Sequence, residues 1–125
     1  MLTEIHGLKD VEVVSQGQSQ LIRCVNTLAA DMTPAGGTVT GNGLAIVWQD
    51  GPRWNDKNGM MDEANGAFVE DAILAARQRL AFFNNGKFNC PENTDAITHL
   101  DAAIKLLDQR AMRRLERNVL GRNEA

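Results

Sequence analysis

The sequence predicts an α+β protein in which a small N-terminal antiparallel β-sheet precedes a C-terminal antiparallel helical hairpin. Three observations carry this. Val69, Ile73, Ala76, Leu80 and Phe83 recur at spacings of four, three, four and three, and Ile97, Leu100, Ile104, Leu107 and Ala111 at three, four, three and four, so each series lines one face of a helix. Between them, Asn84-Asn85-Gly86-Lys87-Phe88-Asn89 is rich in turn formers, and so short a link makes the two helices antiparallel neighbours. Upstream, short β-prone runs alternate with Gly-containing links. The expected boundaries are a β region over residues 1–62 and the hairpin over 65–121, within a single compact domain of 125 residues.

Taken in order, residues 11–14 (Val-Glu-Val-Val) are short and β-prone, and the polar link 15–20 follows as a turn. Residues 21–28 alternate as a strand would, although a short helix reaching Ala30 fits the same pattern; strand is preferred. Residues 33–38 read as a loop and 39–43 as a turn around Gly41-Asn42-Gly43. Leu44-Ala45-Ile46-Val47-Trp48 is apolar on both faces, which predicts a central strand. Residues 53–64 read as a loop, with Asn58-Gly59 as its turn and Met60-Met61 as a short strand or packing contact.

The first helix is expected to open at Asn65-Gly66, with Glu70 and Asp71 near its positive dipole end and Gly86 past its stop. The second starts near Pro91, where a missing N–H costs nothing, and runs towards Arg117. That length exceeds what so small a sheet covers, and its apolar face continues through Leu106, Leu107 and Leu115; both predict a homo-oligomer.

Composition excludes several classes. No apolar run reaches the roughly 18 to 20 residues of a membrane span, and the N-terminus lacks an export pattern. Cys24 and Cys90 stand apart as free thiols, and with His6 and His99 they have no metal-ligand spacing. No metal or other cofactor is expected. Residues 1–109 hold 8 basic and 14 acidic side chains, a balance of −6, whereas 110–125 hold 5 basic and 2 acidic, a balance of +3. Binding of long nucleic acid through bulk charge is therefore disfavoured, while a local anion site at the end of the second helix fits.

Four arginines crowd that end. Arg110, Arg114 and Arg117 share a helix face, with Arg113 beside them. A guanidinium fork grips phosphate oxygens bidentately, so two forks one turn apart suit a diphosphate; the same run also suits a solvated helix end paired with Glu116. Phe83 closes the apolar stripe and Phe82 points elsewhere, and an aromatic at the bend suits either packing or stacking on a base. Asn93 suits bonding to its local backbone or to a base edge. Arg53 and Trp54, after Gly51-Pro52, form a basic-aromatic pair in a loop. GxSxG, GxxxxGK[ST] and HExxH patterns are all missing, so binding without chemistry leads.

Trp48-Gln49-Asp50-Gly51-Pro52, Asn65-Gly66, Arg79-Leu80 with Phe83, Gly86-Lys87-Phe88-Asn89-Cys90-Pro91-Glu92-Asn93, then Arg110, Arg114 and Arg117, Val119 and Gly121 together resemble the phage anti-Thoeris sponge family over residues 44–121. That family shares its helical hairpin with the anti-CBASS cyclic-nucleotide sponges. Gly86-Lys87 stands where the family usually has Gly-Pro, Arg53-Trp54 is bulkier than the usual pair, and Arg117-Asn118 replaces Arg-Gly. The resemblance implies a non-enzymatic protein that sequesters glycocyclic ADP-ribose, and cyclic di- or trinucleotides in some members, in the cytoplasm of an infected bacterial host. It implies a dimer or hexamer assembled through the hairpins. It also implies that Phe83 stacks on adenine, that Arg110 and Arg114 take the diphosphate, and that Asn93 contacts the ligand; Arg53, Trp54 and Arg117 are further candidates. The alternatives are a nucleic-acid-binding regulator using the arginine cluster and a hydrolase of the same signals.

Overall fold

The computed structural model describes residues 8–116. Six strands precede two helices: β1 (Leu8–Val14), β2 (Ile22–Leu28), β3 (Pro34–Gly41), β4 (Leu44–Trp48), β5 (Trp54–Asn55), β6 (Met60–Met61), α1 (Val69–Asn84) and α2 (Pro91–Glu116). The α+β class expected from the sequence is what forms. The chain divides into two compact units, one through Ala67 and one from Phe68.

In the first unit β1 to β4 form an antiparallel sheet in the order β1-β2-β3-β4. Residues 22–28 are indeed strand. Two expectations fail here. Residues 34–41, read as loop and turn, form β3, an inner strand, and residues 44–48, read as central, form the edge strand β4. Pro34, Gly36 and Gly37 depress β propensity, so nothing in the local sequence announces β3. Gly37 is nevertheless required: a Cβ on it would lie 2.1 Å from the Val25 carbonyl oxygen across the ladder. The row Cys24–Val39–Ile46 crosses the sheet with Val39 buried at its centre. On the opposite face the row Val11–Val25–Thr38–Val47 leaves both end valines half or more exposed. Burial on one face alone explains why an apolar run sits at an edge.

The last turn of the sheet is closed by a clasp. The Gln49 N–H donates to the Ala67 carbonyl and the Ala67 N–H to the Val47 carbonyl. Asn65 accepts from the Asp50 N–H through Oδ1 and donates to the Asp50 carbonyl through Nδ2, while Gln49 Oε1 accepts from the Asn65 N–H. A Cβ on Gly66 would fall 2.5 Å from the Trp48 carbonyl, so only glycine lets the chain pass this close. These bonds tie residues 65–67 to the sheet. That is why the helix does not open at Asn65-Gly66 but at Val69, where the Asp71 carboxylate reaches back to the Phe68 N–H at 2.8 Å. The excursion held by the clasp carries the β5–β6 ladder.

The second unit is an antiparallel hairpin. Along α2, Asn93, Ile97, Leu100, Ile104, Leu107, Ala111 and Arg114 are half-buried, so the apolar series read from the sequence does face inward. The α1 series splits. Ile73 and Leu80 are half-buried, but Val69, Ala76 and Phe83 are exposed. The half-buried heptad positions of α1 are instead Glu70, Ile73, Arg77, Leu80 and Asn84. Polar rungs alternate with apolar layers: Asn84 Nδ2 donates to the Thr94 hydroxyl at 3.0 Å, Arg77 pairs with Asp101 at 2.5 Å, and Arg110 lies 4.0 Å from Glu70. Hydrophobic periodicity cannot detect a seam whose alternate residues are polar.

Candidate functional site

At the bend, Asn84 shapes the link between the helices. Its Oδ1 accepts from the Cys90 N–H at 3.0 Å while its Nδ2 holds Thr94. An open cleft of about 510 Å³ lies here, lined by Asn84, Asn89, Cys90, Pro91 and Thr94. Asn93 Nδ2 donates to the Phe88 carbonyl at 3.3 Å, so its side chain also fixes the bend. Cys24 and Cys90 are both free and half-buried.

Three aromatic rings gather at this end. Phe83 meets Phe82 edge to face at 6.2 Å between centroids and Phe88 at 6.4 Å. All three are exposed. The Arg79 guanidinium lies over Phe83 at 4.8 Å and over Phe82 at 5.5 Å, within cation–π range. Sequence reasoning singled out Phe83 but gave Arg79 and Phe88 no role. The signals for Arg79 are its place in the Arg79-Leu80 piece of the family resemblance and its i, i+4 spacing to Phe83, which puts both on one helix face. Solvent-accessible rings joined to a guanidinium offer the stacking and charge that a nucleobase takes.

Arg110 and Arg114 stand at the other end of α2. Arg114 occupies an inward heptad position and is half-buried, Arg110 is 46% exposed in its side chain, and Arg113 is exposed. Arg117 lies outside the described residues. The Arg110 partner is Glu70 in the first turn of α1. Further along the seam the Arg77 guanidinium beside Asp101 holds that carboxyl below its ordinary value, and Arg77 is raised in return.

The hairpin therefore brings Phe83 and Asn93 together, bridged by Phe88, and keeps both away from Arg110 and Arg114. Asn93 and Arg110 are seventeen positions apart on one helix, roughly 25 Å at about 1.5 Å per residue. Within one hairpin, the Phe83–Asn93 end and the Arg110–Arg114 end do not form one site.

Arg53 and Trp54 belong to the first unit. Arg53 Nε donates to the Asp62 carbonyl at 2.7 Å and Trp54 Nε1 to the Asp56 carboxylate at 2.5 Å, and both residues are half-buried. The pair thus packs its own β5–β6 ladder. Among the described residues no group of His, Cys, Asp and Glu side chains could hold a metal ion, and no helix is long and apolar enough to cross a membrane.

Two comparisons bear on this hairpin. The family model of the Acb2/Tad1 hairpin domain matches residues 45–112. A protein of Bacillus phage SBSphiJ7 described as "Thoeris anti-defense 1" is 44% identical over 61 residues, which is 49% of this chain and 43% of that relative. The match thus spans under half the length of the phage protein.

Proposed function

Because the chain belongs to the Acb2/Tad1 hairpin-domain family, we propose that it is a phage anti-defence protein that captures a cyclic nucleotide immune signal and holds it intact. The signal class that suits the residues best is glycocyclic ADP-ribose, with cyclic di- or trinucleotides as further ligands. Its place of action is the cytoplasm of the infected bacterial host.

The observation that carries this reading is the division of the hairpin into two ends of complementary chemistry. Aromatic rings lie open at the bend, and a guanidinium pair lies at the far end of α2. An adenine-diphosphate ligand needs both. Two copies packed antiparallel through their hairpins place the Phe83 and Asn93 of one beside the Arg110 and Arg114 of the other, and by two-fold symmetry they build two such sites. Val69, Phe82, Leu106 and Met112 are each half or more exposed on a single hairpin, and a second copy supplies the cover they lack. Enclosure between subunits also suits a sponge, which needs tight binding and slow release: a Kd near 1 nM is about −12 kcal/mol.

The test is recovery. The protein is incubated with glycocyclic ADP-ribose and separated from free ligand, then heat-denatured, and the released nucleotide is analysed by chromatography. Intact ligand in stoichiometric amount is expected. Degraded nucleotide would replace the sponge with a hydrolase, and no retained nucleotide would remove the ligand class.

A further inference from the structure

Glu70 is a carboxylate in an unexpected place. It occupies an inward position of the α1 seam, its side chain is 32% exposed, and its Oε2 lies 4.0 Å from an Arg110 terminal nitrogen. Its neighbour Asp71 has a clear structural task, closing the helix start onto the Phe68 N–H. Glu70 shares the first turn and suits the helix dipole there, but among the described residues its side chain makes no hydrogen bond, and Arg110 is its one ion-pair partner. At this separation the pair is a loose contact, and a loose, partly exposed ion pair adds little to stability.

The cost of Glu70 falls instead on anything anionic that approaches Arg110. A carboxylate a few ångströms from the guanidinium cancels part of its charge and repels an incoming phosphate. We propose that Glu70 competes with anionic ligands for Arg110 and so sets an affinity threshold that excludes simple phosphates from the site. This rests on the reading of Arg110 as a diphosphate contact. The penalty is the same for every ligand carrying that diphosphate, so selectivity arises through concentration. A ligand that holds on by its phosphates alone drops below saturation. A nucleotide that also stacks at Phe83 has affinity to spare. The device is a repulsive element of the kind that specific sites combine with attractive ones.

The experiment is calorimetry on the intact protein with two probes, inorganic pyrophosphate and glycocyclic ADP-ribose. The variants are Glu70→Gln, Arg110→Ala and the double variant Glu70→Gln/Arg110→Ala, each with its melting temperature recorded; Glu70→Ala serves as a second neutral replacement should the glutamine variant fold poorly. Glu70→Gln is expected to bind both probes about tenfold more tightly, with a melting temperature close to that of the wild type. The gain should vanish when Arg110 is also replaced. Pyrophosphate binding that is unchanged, weaker or undetectable at millimolar concentration in both neutral variants overturns the proposal, as does a gain that survives loss of Arg110. Failure of the wild type to bind glycocyclic ADP-ribose would instead remove the sponge reading, and the pyrophosphate arm would still decide the role of Glu70.

Discussion

Arg77 and Asp101 lock the middle of the hairpin: the guanidinium donates to one carboxylate oxygen through Nε at 2.5 Å and to the other through a terminal nitrogen at 3.3 Å. The fork geometry suits one register of α1 against α2 and specifies it more narrowly than a point charge would.

A pH dependence follows from this pair. The hydrogen bonds from Arg77 lower the Asp101 pKa, so the unfolded chain binds the proton more readily than the folded one. The contribution of the pair is thus complete above the unfolded aspartate value of about 3.9 and is lost as pH falls through the lower folded value. Urea unfolding of the protein between pH 6 and pH 2 should show a decline at the acid end that is shallower in Asp101→Asn. Identical pH profiles for the two proteins would remove the pair from the stability of the hairpin.

Asn84 controls the bend. Asn84→Ala deletes the bond to Thr94 and leaves the part-buried Cys90 N–H without its acceptor. The expected loss is about 1 to 3 kcal/mol, read as a lower urea midpoint with an unchanged slope. Asn93→Ala, which removes a single longer bond to the Phe88 carbonyl, should cost less stability. If Asn93 also contacts the ligand, its loss should weaken binding by more than its small effect on folding explains.

These residues also mark what was legible in the sequence. The α2 face was readable because its inward positions from Ile97 to Ala111 are almost all aliphatic. The α1 face was not, because the inward positions are Glu70, Arg77 and Asn84 as well as Ile73 and Leu80, and the more regular apolar stripe includes the exposed Val69 and Phe83. β3 was hidden by Pro34, Gly36 and Gly37, and the need for Gly37 becomes visible only against the Val25 carbonyl. The candidate site divides the same way. Residue types and spacing leave packing and binding roles open for Phe83, Asn93, Arg110 and Arg114; the family resemblance singles out these four, and neither reveals that they do not meet within a chain. The sequence places Glu70 at a helix start, and its second relationship, to Arg110, needs the hairpin register to appear.

The arginines should be unequal. If Arg110 and Arg114 grip the ligand's diphosphate as proposed, Arg110→Ala or Arg114→Ala removes a charge-assisted contact, expected to cost about 1.5 to 3 kcal/mol, or roughly 10- to 150-fold in affinity for glycocyclic ADP-ribose. Lysine at either position should restore only part of it, because the fork is lost. Arg113, exposed and rotated about 100° from Arg114, should tolerate alanine with little change. Calorimetry on variants of matched melting temperature provides the comparison. Equal losses at all three positions would indicate a diffuse basic patch and would favour the nucleic-acid-binding alternative.

The division of the hairpin into two ends yields a complementation test. On the proposed reading, Phe83→Ala damages the stacking half of each site, and the double variant Arg110→Ala/Arg114→Ala damages the diphosphate half. If each site takes one half from each of two antiparallel copies, a mixed dimer of the two variants contains one site with both lesions and one with neither. Each variant alone should bind poorly. After co-refolding in equal amounts, random pairing makes half the dimers mixed, so about a quarter of all sites should regain wild-type affinity. Calorimetric stoichiometry reads this fraction directly, and light scattering checks that both variants still associate. A mixture that binds no better than its components, with association intact, would mean that the two ends do not share a ligand and that the four residues serve separate sites.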